Sequence, residues 1–126
     1  FYGRVFKSSK IFSKSTGAGA IKSWEGGVMD YDNGGVAKDI KSMPEAKNPP
    51  RIQVTQDGIR SEDPYIIKDG DLITYDDELS IQQKCKWGMK RGMMGWMAWE
   101  ADGDRSFILS RKASEVFGVN KNLKEL

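Results

Sequence analysis

The chain has 126 residues, with 20 basic and 18 acidic side chains and a net charge of +2. That is enough chain for one domain with a real core, and the mild, well-mixed charge gives no argument for nucleic acid or a membrane as partner. Histidine is absent and Cys85 is the single cysteine, which excludes an internal disulfide, a cysteine-rich metal site, His-dependent triads and most zinc sites. Acid–base chemistry would fall to carboxylates, lysine or tyrosine, and no cofactor is implied. No apolar run approaches the roughly 18 residues of a membrane span. The chain begins at Phe1 rather than Met and shows no signal peptide, so it reads as a processed or cut piece. The missing signal therefore says nothing about where the parent works.

In chain order, "FYGRVF" reads as a strand end, and "KSSKIFSKSTGAGAIKS" as loop. "WEGGVMDYDNGG" has a strand-like centre at 28–31 between glycine pairs. "VAKDIKSMPEAKNPP" suits one short helical turn before Pro44 and then an extended link. "RIQVTQDGIRS" alternates, with Ile52 and Val54 on one face and a turn at Asp57-Gly58. "PYIIKDGDLITY" is the clearest hairpin, two apolar runs around Asp69-Gly70. The middle of the chain is thus expected to be a small antiparallel sheet.

The period then changes. In "DDELSIQQKCKWGMKRG", Ile81, Cys85, Gly88 and Met89 share one helix face. Asp76 or Asp77 can cap the start, Glu78 suits the first turn, and Gly92 suits the end. "GMMGWMAW" is expected to be a strand, an unusual one built from Gly, Met, Ala and Trp. By the period of two, Met93, Gly95, Met97 and Trp99 share one face, and Met94, Trp96, Ala98 and Glu100 the other. "RSFILSRKASEVFG" is a second helix, with Leu109, Ala113, Val116 and Phe117 on one face and Gly118 as stop. A helix-strand-helix tail suggests a βα unit of a parallel sheet.

"FYGRVF", "WEGGVMDY" and "LITYDDELSIQQKCKWGMKRGMMGWMAWEADGD", in that order and spacing, resemble the C-terminal part of family 18 glycoside hydrolases, the chitinases and their relatives. The resemblance covers roughly 1–117 and is weakest over 38–63. It implies an α+β chain made of the last strands and helices of a TIM barrel plus an inserted antiparallel module. Residues 1–7 would be a barrel strand end, 8–74 a chitinase insertion domain, and 75–126 the C-terminal helix-strand-helix. A whole barrel needs about 250 residues, roughly twice this chain.

The resemblance also implies a chemistry. Family 18 enzymes hydrolyse β-1,4-linked N-acetylglucosamine chains with retention, using the substrate's own acetamido oxygen as nucleophile and a glutamic acid as proton donor. That acid belongs to a D-x-x-D-x-D-x-E motif, which this sequence lacks. No catalytic residue is therefore assigned, and the chain alone is expected to be inactive. Trp99 matches the tryptophan that floors the sugar subsite, since an indole offers a flat apolar face to a pyranose ring. Tyr2 and Arg4 match positions at the groove rim, and Asp32 is the nearest candidate for an insertion-domain acid. The implied partner is an N-acetylglucosamine oligosaccharide or polysaccharide, and the parent would be secreted, cell-surface or periplasmic.

Plainer readings stand beside these. Without the resemblance, Trp99 reads as a core tryptophan, because large aromatics are commonly buried. Tyr2 and Arg4 equally suit a strand end pinned by an ion pair. Glu100, Asp102 and Asp104 read as loop and helix-cap acids. "DYDNGG" lacks the ligand spacing of a calcium loop. Trp96 and Trp24 read as packing, Trp87 as a helix-edge residue, and Cys85 as buried and inert. A non-catalytic chitinase-like lectin is the alternative to a hydrolase. An excised insertion module is a third reading, with unpaired strands inviting a homodimer.

Overall fold

The computed structural model describes residues 2–6, 28–34, 39–56 and 58–118, with only the backbone of β1. The expected 7–23 loop, Trp24, Asp57 and the side chains of Tyr2 and Arg4 lie outside the described residues. Five strands form one antiparallel sheet: β1 (Tyr2–Phe6), β2 (Val28–Asp30), β3 (Arg51–Gln56), β4 (Ile59–Lys68) and β5 (Asp71–Thr74). Their spatial order is β2-β1-β5-β4-β3. Two helices, α1 (Glu78–Lys90) and α2 (Ile108–Phe117), follow.

Local sequence explains the hairpins. Asp69 and Gly70 both take positive φ, 51° and 81°, as a two-residue turn of the I′ kind requires. The turn fixes the register Lys68↔Asp71 and Ile66↔Ile73, and that isoleucine pair is buried in the core. β3 and β4 also form a hairpin, with Gln56 opposite Ile59 and Gly58 at φ 73°. β4 changes partner at Pro64. Residues 59–64 face β3 and residues 65–68 face β5. Proline cannot donate to a ladder, but its carbonyl accepts from the Tyr75 N–H at 3.3 Å.

α1 and α2 pack together, and α1 lies against β4. The core joins Met29, Tyr31, Ile66, Ile73 and Tyr75 of the sheet side to Ile81 of α1 and Leu109 and Ala113 of α2. Tyr31 and Tyr75 stack with ring centroids 6.3 Å apart. The α1 face is narrower than its spacing suggests: Ile81 and Gly88 are buried and Cys85 half-buried, but Met89 is exposed. Gly88 is buried because Met93 and Phe117 close over it, with the Met93 sulfur only 3.2 Å from where a Cβ would sit.

Two expectations change. The short turn before Pro44 forms, closed by the Met43 N–H donating to the Ile40 carbonyl at 3.0 Å, but the extended link does not start at Pro44: a 3-10 turn, Pro44–Lys47, comes first, because proline's fixed φ and missing N–H suit the first helical position. The larger correction concerns residues 93–98, which form no strand. A strand needs a neighbour to complete its ladder, and β1 is already paired on both edges, with β2 and β5. The α+β class holds, but the βα unit expected of the tail does not form.

Candidate functional site

In the segment that fails to pair, Met93, Met94 and Gly95 are all exposed, and from Trp96 to Glu100 burial keeps the period of a strand. Met97 is 82% and Trp99 76% exposed, while Trp96, Ala98 and Glu100 between and beside them are half-buried. Trp96 packs on the core. One side of an extended segment therefore rests on the domain and the other points to solvent. Trp99 lies on the outward side. Within this chain its indole is no part of the core and is presented as a surface.

Just beyond Trp99, the chain makes a 3-10 turn, Ala101–Gly103, which two buried acids, Asp32 and Asp104, organise. Asp32 and Asp104 form a parallel bridge. The Asp32 N–H donates to the Gly103 carbonyl, and the Arg105 N–H donates to the Asp32 carbonyl, both at 3.0 Å. The Asp32 carboxylate accepts from the Gly34 N–H at 2.9 Å and the Ser106 N–H at 3.1 Å. Lys41 Nζ lies 3.3 Å from it. The Asp104 carboxylate accepts from the N–H groups of Ile108 and Ser110, each at 2.9 Å, and from the Ser110 hydroxyl at 2.8 Å. It thereby satisfies the open first turn of α2. Asp39 ties the β2 loop, accepting from Asn33 N–H and Ser42 N–H, each at 2.8 Å.

Burial alone would push the Asp32 pKa up. Hydrogen bonds from Ser106, from the Gly34 N–H and from Lys41 outweigh it and hold the carboxyl below the usual carboxylate range. Asp32 was the candidate sugar contact. It is 1% exposed, and its oxygens serve its own chain. Glu100 is half-buried and Asp102 exposed, where Asp102 forms a two-point ion pair with Arg105, both contacts at 3.1 Å.

The register of β1 sets Tyr2 opposite Asp30 and Arg4 opposite Val28 and Thr74. Tyr2 therefore starts β1 at the end of β2 that runs into Asp32. The backbone thus brings the start of β1, the loop after β2 and the 99–106 loop to one edge of the sheet.

A second polar network lies at the start of α1. Asp77 caps the helix through the Ser80 N–H at 3.0 Å, and the Ser80 hydroxyl returns to the Asp77 N–H at 3.0 Å. Arg51 of β3 grips the same carboxylate and also donates to the Glu62 carbonyl at 2.9 Å. Lys84 sits between Asp76 at 2.6 Å and Asp63 at 3.1 Å. Sequence reasoning anticipated Asp77 as a cap. It missed Arg51, Lys41 and Ser106, whose partners lie far along the chain and leave no local signal. Among the described residues, no cluster of acids and cysteine is arranged to hold a metal ion, and no helix is long and apolar enough to cross a membrane.

Comparison with known proteins decides the family. The model of "Glycosyl hydrolases family 18" matches residues 1–104. The chain belongs to family 18. A curated relative, Chitinase 1 of Aphanocladium album, is 30% identical over 104 residues, which are 82% of this chain and 22% of that protein. Among solved structures, a class V chitinase of Nicotiana tobaccum, a mutant in complex with NAG4, shares 23% identity at a TM-score of 0.65, over 94% of this chain and 32% of its own. The same plant's class V chitinase is similar at 22% identity and a TM-score of 0.63. The family 18 chain thus spans about a fifth of its curated relative and about a third of the solved structures it resembles.

Proposed function

We propose that this chain is the C-terminal segment of a chitinase-type hydrolase acting on β-1,4-linked N-acetylglucosamine polymers by substrate-assisted retaining hydrolysis. It supplies binding residues and not the proton donor. The observation that carries this is Trp99: an indole 76% exposed on the outward side of an otherwise anchored segment. A flat apolar face held toward solvent suits stacking against a pyranose ring. The family relationship and the NAG4 complex of the similar plant enzyme support the substrate class. In this reading Tyr2 and Arg4 line the rim beside Trp99, and the loop held by Asp32 borders it. The parent acts outside the cytoplasm, where such polymers occur, and two copies of the segment pair through residues 93–98.

The test is a tryptophan-fluorescence titration of the chain with N-acetylglucosamine oligomers, beside Trp99→Ala. We expect a saturable change that the variant loses, with no hydrolysis by either. A change that persists in the variant would remove Trp99 from the site, and no change in either would remove the binding role of this segment.

A further inference from the structure

Trp99 is exposed, so packing of its own side chain does little to fix its direction. The backbone must do so. Its N-terminal side is anchored by Trp96 against the core. Its C-terminal side enters the 3-10 turn Ala101–Gly103, whose last residue is held by Asp32 and whose next residue caps α2. Asp32 touches this stretch at three points, two through its main chain, at the Gly103 carbonyl and the Arg105 N–H, and one through its carboxylate, which accepts from the Ser106 N–H. Gly34, two residues beyond Asp32, also lies against the loop, because a Cβ there would meet the Arg105 Cβ at 3.8 Å. Gly34 has φ +75°, a conformation open to glycine at little steric cost, and this lets its N–H turn back to the Asp32 carboxylate.

We propose that Asp32 is the positioning residue for Trp99, acting through the 101–106 loop without touching sugar. The inference rests on the reading of Trp99 as a sugar platform, and it gives the buried acid the one role its geometry allows. An acid 1% exposed with its oxygens already engaged would have to abandon its own chain to meet a ligand, giving up the N–H groups of Gly34 and Ser106. Kept in place, it fixes where the loop runs. A platform aligned in advance costs a ligand less ordering on binding. Lys41 completes the clamp from the solvent side at 3.3 Å.

Fluorine NMR of the chain labelled with 5-fluorotryptophan tests this without any ligand. Trp99→Ala assigns the Trp99 resonance by its loss. Asp32→Asn is expected to shift or broaden the Trp99 signal while leaving that of Trp87, on α1, in place. Lys41→Met, which removes only the ion pair, is expected to produce a smaller change of the same kind. It also decides the matter if Asp32→Asn fails to fold. An unmoved Trp99 signal in folded Asp32→Asn would overturn the proposal, and so, where Asp32→Asn loses its structure and moves both resonances, would an unmoved Trp99 signal in Lys41→Met. In parallel, titration with the N-acetylglucosamine tetramer is expected to show several-fold weaker binding in Asp32→Asn, and no further weakening when Trp99→Ala is added to it. Additive losses would mean that Asp32 acts elsewhere. If the unsubstituted chain bound no tetramer, the sugar reading would fall while the NMR result would still stand or fall by itself.

Discussion

Asp32 is a buried carboxylate that keeps its charge. A carboxylate inside a protein is stable only if its lost hydration is replaced. Here Ser106, the Gly34 N–H and Lys41 replace it, and the balance leaves the pKa depressed despite burial. An aspartate in the unfolded chain titrates near ~3.9. A folded value below that contributes stability that is fully present above the unfolded pKa and disappears as pH falls through the folded one. The chain should therefore lose thermal stability below about pH 4, partly through this one group. Asp32→Asn should be less stable at neutral pH and should have a flatter acid limb. Melting temperatures of both proteins between neutral and acid pH would show it. Parallel curves would mean that Asp32 contributes nothing to the acid transition. The side chains around Asp32 were not legible in the sequence. Ser106 lies 74 residues away, and nothing local marks either residue as the other's partner. Asp104 was legible as a loop or cap acid because its partners, Ile108 and Ser110, lie within six residues.

Elements built on local chemistry were the readable ones. The Asp69-Gly70 turn, the Asp77 cap, and the glycines that follow each helix act within a few residues. Each forms as expected, with Gly92 and Gly118 at φ 78° and 71°. The turn also carries a stability prediction. Gly70 sits at φ 81° with nothing within 4 Å of a Cβ, so substitution meets no clash and tests conformation alone. Gly70→Ala should destabilise by about 1–2 kcal/mol, the usual cost of placing an L-residue in the left-handed region. Urea unfolding at an unchanged slope should report it. No loss of stability would mean that the hairpin tolerates another turn. The 93–98 segment was misread because its signal is only half local. Alternation can state which side faces inward, and burial keeps that alternation from Trp96 to Glu100 but not over 93–95. A ladder, however, needs a partner strand, and the strand expected to flank it, β1, spends both edges on β2 and β5.

At the scale of the whole molecule, the exposed side chains of that segment, on both sides at 93–95 and on the outward side at 97 and 99, are the least comfortable surface. Met93, Met94, Met97 and Trp99 are all exposed, Met94 completely, and Phe107 is exposed as well. Large apolar side chains grouped along one stretch of chain mark a surface that favours a partner, and an extended backbone without a ladder can accept another strand. A sugar ring can cover one indole, but it cannot cover the methionines or pair the backbone. The chain spans only 32% of the solved chitinase it resembles, so the surface cannot be assumed to face water in a longer protein. In the isolated chain, we expect it to be covered by a second copy. Sedimentation velocity should show a monomer that gives way to dimer as concentration rises. Met94→Lys combined with Met97→Lys should hold the chain monomeric, because each copy would bring two positive charges to the shared face. Neither side chain is buried, so the double substitution should leave the stability of the monomer within about 1 kcal/mol of its original value, roughly 0.5 kcal/mol for each site. A chain that sediments as a monomer at every concentration would refute the pairing. A dimer that survives both lysines would place the contact elsewhere on the molecule.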